Sequence, residues 1–128
     1  MNSVVLDASA LLAILNGEPG ADKLTPELLS RATSSTVNLA EVQSKLVSRG
    51  LTPQDAWEAA LSGVREATDF TAAHARLTGS LVSQTRPFGL SLGDRACLAL
   101  GLTLKAPVYT ADQSWRKLIL GIRIHVIR

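Results

Sequence analysis

Apolar and polar positions alternate between two periods along the chain, and the switching between them predicts its elements. Ser3 to Leu6 is a short β-branched run that predicts a strand, and ASALLAILN after Asp7 is helix-forming throughout. Asn16, Gly17 and Pro19 stop that helix, and Ala21 to Leu29 predicts another, with Pro26 at an early position or a kink. Ala32 to Val37 reads as a second strand. Asn38 then caps a helix in which Leu39, Val42, Leu46 and Val47 recur at helical spacing before Gly50 ends it.

Thr52 and Pro53 open a helix to about Leu61, and Val64 to Phe70 predicts a third strand whose Glu66 and Asp69 suit a sheet edge. Thr71 to Gln84 reads as a helix, Arg86 to Leu90 as a Pro/Gly loop, and Ser91 to Leu104 as an Ala- and Leu-rich helix. Ala106 to Thr110 returns to strand, Asp112 to Leu118 forms a short helix, and Ile122 to Ile127 closes as a strand. Strands separated by helical segments imply parallel pairing with right-handed crossovers. The expected fold is α/β: a three-layer α/β/α sandwich around a central, mostly parallel sheet of four to five strands. No repeat or linker divides residues 1–128, so one domain is expected.

Composition narrows this picture without naming a partner. Of the 128 residues, 46% are hydrophobic, enough for one continuous core. The net charge of +2 allows contact with a polyanion and falls short of a basic tail. A single cysteine, Cys97, excludes an internal disulfide or a multi-thiolate metal site and suits a reducing compartment. The apolar opening lacks a basic leader and carries Asp7 at its centre, so it reads as mature structure. No stretch has the roughly 18 uncharged apolar residues of a membrane span, so a soluble, cytoplasmic protein without membrane contact is expected.

Chemistry enters with four acids. In parallel α/β sheets ligands bind where strands hand over to helices, at the carboxyl ends of the strands. Asp7 follows VVL directly, Glu41 stands four residues past Val37, and Asp112 two residues past Thr110. Asp94 falls in the first turn of the helix leading into the fourth strand, within reach of the same rim. Each acid also has a local explanation. Asp7 and Asp112 can cap the helices that follow, and Asn38 with Glu41, like Ser91 with Asp94, has capping-box spacing. Capping alone does not require the four to converge, whereas the parallel fold brings them together.

Converging carboxylates need cations. Two like charges ~4 Å apart repel by about 4 kcal/mol at an effective dielectric of about 20, so such a cluster binds protons or metal. Hard oxygen ligands without thiolate or imidazole select Mg²⁺ or Mn²⁺. Such ions bind phosphate oxygens and acidify water for in-line attack at phosphorus, which points to phosphodiester hydrolysis.

The residues that carry these features also resemble a family. VVLDASALLAIL at the start, Asn38-Leu39-Ala40-Glu41-Val42, Ser91-Leu92-Gly93-Asp94-Arg95 and Thr110-Ala111-Asp112 form an ordered set similar to that of the PIN domains, most closely the VapC-type toxins of toxin–antitoxin pairs. The resemblance covers essentially the whole chain. It implies a metal-dependent endoribonuclease that cuts structured RNA such as tRNA or rRNA and halts translation. It also implies a homodimer silenced by a cognate antitoxin. Asp7, Glu41, Asp94 and Asp112 match the family's metal-binding acids; Thr110 matches a supporting hydroxyl, and Ser9 and Asn38 occupy neighbouring polar positions. Relatives often carry a further acid near the last one, where this chain has Gln113, Ser114 and Trp115; one metal ion or two is left open.

Other groups point elsewhere. Arg86, Arg95, Arg116 and Lys117 lie near the expected rim and are candidates for phosphate contact or solvated surface charge. His74, His125, Cys97, Trp57 and Trp115 fit packing or surface roles. Ser9 stands where a haloacid-dehalogenase-like phosphatase needs its second Asp, and Phe70-Thr71 stand where a phospho-receiver needs its acceptor, so both readings fall. A non-catalytic PIN-like module that binds RNA or protein remains as the alternative.

Overall fold

The computed structural model describes residues 2–128. Five strands, β1 (Val4–Leu6), β2 (Ala32–Ser35), β3 (Glu66–Thr68), β4 (Val108–Thr110) and β5 (Ile124–Val126), form one sheet in the order β3-β2-β1-β4-β5. Every pairing is parallel, with Val4 opposite Ala32, Val5 opposite Val108 and Thr110 opposite Val126. The sequence predicts a mostly parallel sheet, and the observed one is wholly so among the described residues. Helices α1 (Ala8–Asn16), α2 (Pro26–Leu29), α3 (Thr36–Ser48), α4 (Pro53–Leu61), α5 (Ala72–Ser80), α6 (Val82–Thr85) and α7 (Leu92–Leu104) connect the strands.

The two-residue period of a strand divides the core. On one side Val4 and Leu6 pack with Leu11, Leu39, Val42, Ala56 and Ala60 of α1, α3 and α4. On the other, Val5 and Val108 pack with Cys97, Leu98 and Leu100 of α7, and with Leu81 and Trp115. The edge strands are shorter than their sequence patterns, and β3 is largely exposed, as its charged residues predict.

Four stretches differ from the sequence reading. Strand β2 ends at Ser35, whose hydroxyl accepts the Val37 N–H at 3.2 Å, so α3 begins at Thr36 and Asn38 lies inside its first turn rather than at its cap. The stretch from Ala21 to Leu29 splits into a 3-10 turn (Ala21–Lys23) and α2, because Thr25 caps a new helix with Pro26 at its first position. Thr71 to Gln84 likewise divides at Leu81 into α5 and α6. Asp112 to Leu118 contracts to a 3-10 turn at Gln113–Lys117.

Candidate functional site

Central position in the sheet decides what surrounds Asp7. It follows β1, which lies between β2 and β4, so the carboxyl ends of three adjacent strands meet around it. Its side chain caps α1 by accepting the Ala10 N–H at 2.8 Å. Two hydroxyls add to this. Ser9 Oγ donates to Asp7 Oδ1 at 2.7 Å, and Thr110 Oγ1 donates to Oδ2 at 2.5 Å. Each hydroxyl also accepts a backbone N–H from beyond β4, Ala111 at 2.8 Å and Asp112 at 3.0 Å. An oxygen that accepts from an amide directs its own proton elsewhere, so both hydroxyls aim at Asp7.

Asp7 is only 3% exposed. Burial raises its pKa from 3.8 to about 6, against the opposing hydrogen bonds from Thr110, Ala10 and Ser9; the charge of Asp94 adds to the rise. Asp7 is thus mainly ionised at neutral pH, though at a cost set by its surroundings.

The other three acids are each tied by one oxygen to a local donor. Asn38 Nδ2 donates to Glu41 Oε1 at 2.8 Å and to the Gly93 carbonyl at 3.0 Å, joining α3 to the start of α7. Ser91 N–H donates to Asp94 Oδ2 at 2.9 Å while Ser91 Oγ accepts the Asp94 N–H at 3.1 Å, completing a capping box. Ser114 donates to Asp112 Oδ1 through its amide at 2.9 Å and its hydroxyl at 2.8 Å. The capping explanations hold locally, yet all four acids line one cleft of about 250 Å³. The capped carboxylates keep their second oxygens, Glu41 Oε2, Asp94 Oδ1 and Asp112 Oδ2, without a protein donor among the described residues.

Behind the cleft, burial pushes the Cys97 thiol well above its ordinary pKa, and the charges of Asp7, Asp94 and Glu41 push it further. Cys97 is therefore an inert core residue, and the field of three acids converges on it. The acids do not form a closed cage: among the described residues no three acid, His or Cys side chains stand close enough to surround an ion directly. Such an open, all-oxygen set suits a hydrated hard cation touched by one or two carboxylates, with water completing the shell.

The four basic residues singled out from sequence, Arg86, Arg95, Arg116 and Lys117, do not line this cleft. Arg95 Nη1 instead donates to the Thr78 carbonyl at 3.0 Å, tying α7 to α5, and Arg116 Nη2 donates to the Arg128 carbonyl at 2.8 Å. The cations in the cleft wall are Lys45, Arg49 and Arg128, beside Glu18. A signal for two of them was available, since Glu41, Lys45 and Arg49 recur every fourth residue, which puts Lys45 on the Glu41 face of α3 and Arg49 just past that face at the helix's C-terminus.

The family model for the PIN domain matches residues 4–119, and the chain belongs to that family. Its fold is that of DNA-bound VapBC from Salmonella typhimurium, with a TM-score of 0.75 and 20% identity over 100% of both chains. It also resembles VapBC2 from Rickettsia felis bound to a promoter DNA fragment, with a TM-score of 0.72 and 22% identity over 94% of this chain and 96% of that one. A third similar structure is VapC20 of Mycobacterium tuberculosis, a Sarcin-Ricin loop cleaving toxin, with a TM-score of 0.72 and 18% identity over 94% and 99% of the chains. No curated protein matches the sequence.

Proposed function

We propose that this chain is a metal-dependent endoribonuclease of the VapC toxin type, which cuts structured RNA in the cytoplasm and is held in check by a cognate antitoxin. The observation that carries the reading is the cleft itself, where Asp7, Glu41, Asp94 and Asp112 meet from four separate segments. Membership of the PIN family supports nuclease chemistry. The similarity to VapC20, a Sarcin-Ricin loop cleaving toxin, supports RNA as the substrate, and the VapBC assemblies support an antitoxin partner. A homodimer is part of the same proposal, on the family resemblance alone. No helix among the described residues is long and apolar enough to cross a membrane.

A bound Mg²⁺ or Mn²⁺ would supply positive charge for the phosphate oxygens and an acidified water for the attack. Asp7 and one neighbouring acid would touch it directly, and the rest of Glu41, Asp94 and Asp112 would reach it through its water shell. Ser9 and Thr110 keep Asp7 ionised and fixed by donating to its two oxygens. Asn38 fixes Glu41 against the Gly93 turn of α7, so that its free oxygen faces the same space.

Purified protein is expected to cleave structured RNA with Mg²⁺ or Mn²⁺, to leave a 5′-phosphate and to stop in EDTA. Asp7→Asn and Asp94→Asn are expected to abolish cleavage while circular dichroism stays native. Cleavage undiminished by EDTA, or retained in either variant, would overturn the reading. RNA binding without any cleavage would favour a non-catalytic module.

A further inference from the structure

On one wall of the acid cleft, Glu41 and Lys45 of α3 and Arg49, which caps its C-terminus, follow at intervals of four residues, and all three line the cleft. Residues four apart on a helix are neighbours on one face, displaced by roughly 6 Å along the axis. The face therefore changes sign along its length, from the acid at the reacting end to cations leading away from it. Lys45 and Arg49 are exposed, and neither has a salt bridge or side-chain hydrogen bond among the described residues. Arg128, the third cation of the wall, is instead paired to Glu18 at 3.0 Å.

We infer that Lys45 and Arg49 are a phosphate track, gripping successive phosphates of the RNA strand on one flank of the scissile bond. The inference rests on the ribonuclease reading above. An RNA strand approaching four carboxylates is repelled, and cations immediately beside them offset that repulsion where the strand must enter. Four residues of helical rise, roughly 6 Å, set the two long side chains one after the other along the path a strand would take out of the cleft. An exposed cation without a salt bridge contributes little to stability, so Lys45 and Arg49 are not held in this wall by ion pairing.

Fluorescence anisotropy with a labelled single-stranded RNA in EDTA, over a range of KCl, tests the track on the whole chain. Each phosphate contact removed from a single strand lowers the slope of log K against log salt by about 0.7, so Lys45→Ala/Arg49→Ala is expected to lower it by about 1.4. Lys105→Ala/Arg123→Ala is the matched control. It removes the same charge from a separate groove of about 790 Å³ that includes Pro107, where the chain enters β4, at the opposite end of the sheet. A three-residue strand, roughly 10 Å, separates the two ends, at least a Debye length of about 8 Å in physiological salt. The control is expected to keep the wild-type slope.

In cleavage assays the Lys45/Arg49 variant is expected to raise KM about tenfold with kcat nearly unchanged, since these contacts hold ground and transition states alike. Equal slopes for wild type and the Lys45/Arg49 variant overturn the track alone. Equal losses in both double variants also overturn it, in favour of net charge. If the two cations serve instead to neutralise the acids, the variant tightens Mn²⁺ binding and leaves the RNA slope unaltered. Wild-type protein that neither binds nor cuts RNA overturns the ribonuclease reading together with the track.

Discussion

Gly93 lies directly against the carboxyl group of Glu41: a Cβ added at Gly93 would stand 2.4 Å from Oε1 and 2.7 Å from Oε2. Glycine in a helix costs roughly 1 kcal/mol relative to alanine, so its presence in the first turn of α7 is explained by the room it leaves. The colliding atoms end a flexible side chain, so Gly93→Ala is expected to fold normally while Glu41 swings away from Asn38. Cleavage should fall about tenfold or more, because small displacements of a positioned group are costly. Gly93→Ala/Glu41→Gln should be no slower than Glu41→Gln alone. Additive losses would show that Gly93 acts through something other than Glu41.

Asp7 makes the metal-free fold sensitive to pH. Its folded pKa, about 6, lies above its ordinary 3.8, so between these values the native state holds a proton that the unfolded chain has released. The sign follows: stability falls as pH rises through this window and levels off above it. At 1.36 kcal/mol per pH unit the loss is about 3 kcal/mol. In EDTA, Asp7→Asn is therefore expected to melt higher than wild type at pH 8, with the gap closing near pH 4. An Asp7→Asn protein less stable at pH 8 than at pH 4, relative to wild type, would contradict the assignment.

Arg95 separates a packing role from a binding one. Its guanidinium donates to the Thr78 carbonyl, and its Nε is buried without a partner, so it is part of the α5–α7 contact rather than the cleft. Arg95→Ala is expected to lower stability by about 1–3 kcal/mol in denaturant titration and to leave the salt dependence of RNA binding intact. A reduced salt slope would return Arg95 to the RNA surface.

Much of the fold was legible because strand and helix impose different periods on the apolar residues. Val4 and Leu6 face one layer and Val5 the other, and the same alternation of elements implies parallel crossovers. Boundaries were less legible where two residues could cap the same helix. Ser35 and Asn38 both qualify by type, and only the path of β2 into α3 favours Ser35. That choice changes the function of Asn38, which becomes a buried link between Glu41 and Gly93.

The sequence by itself determined which acids stand near the starts of helices, Asp7, Glu41 and Asp112 after strands and Asp94 before one, because that depends on local order along the chain. It could not determine the company they keep. The hydroxyls of Ser9 and Thr110 meet at Asp7 because β4 pairs beside β1, and they touch each other across 101 residues of sequence. Likewise Arg128 joins Lys45 and Arg49 in the cleft wall only through the tertiary fold, which brings the end of the chain to Glu18. Hydrogen bonding and charge act through space, so burial, pKa and the company of Arg128 emerged only when the sheet was assembled.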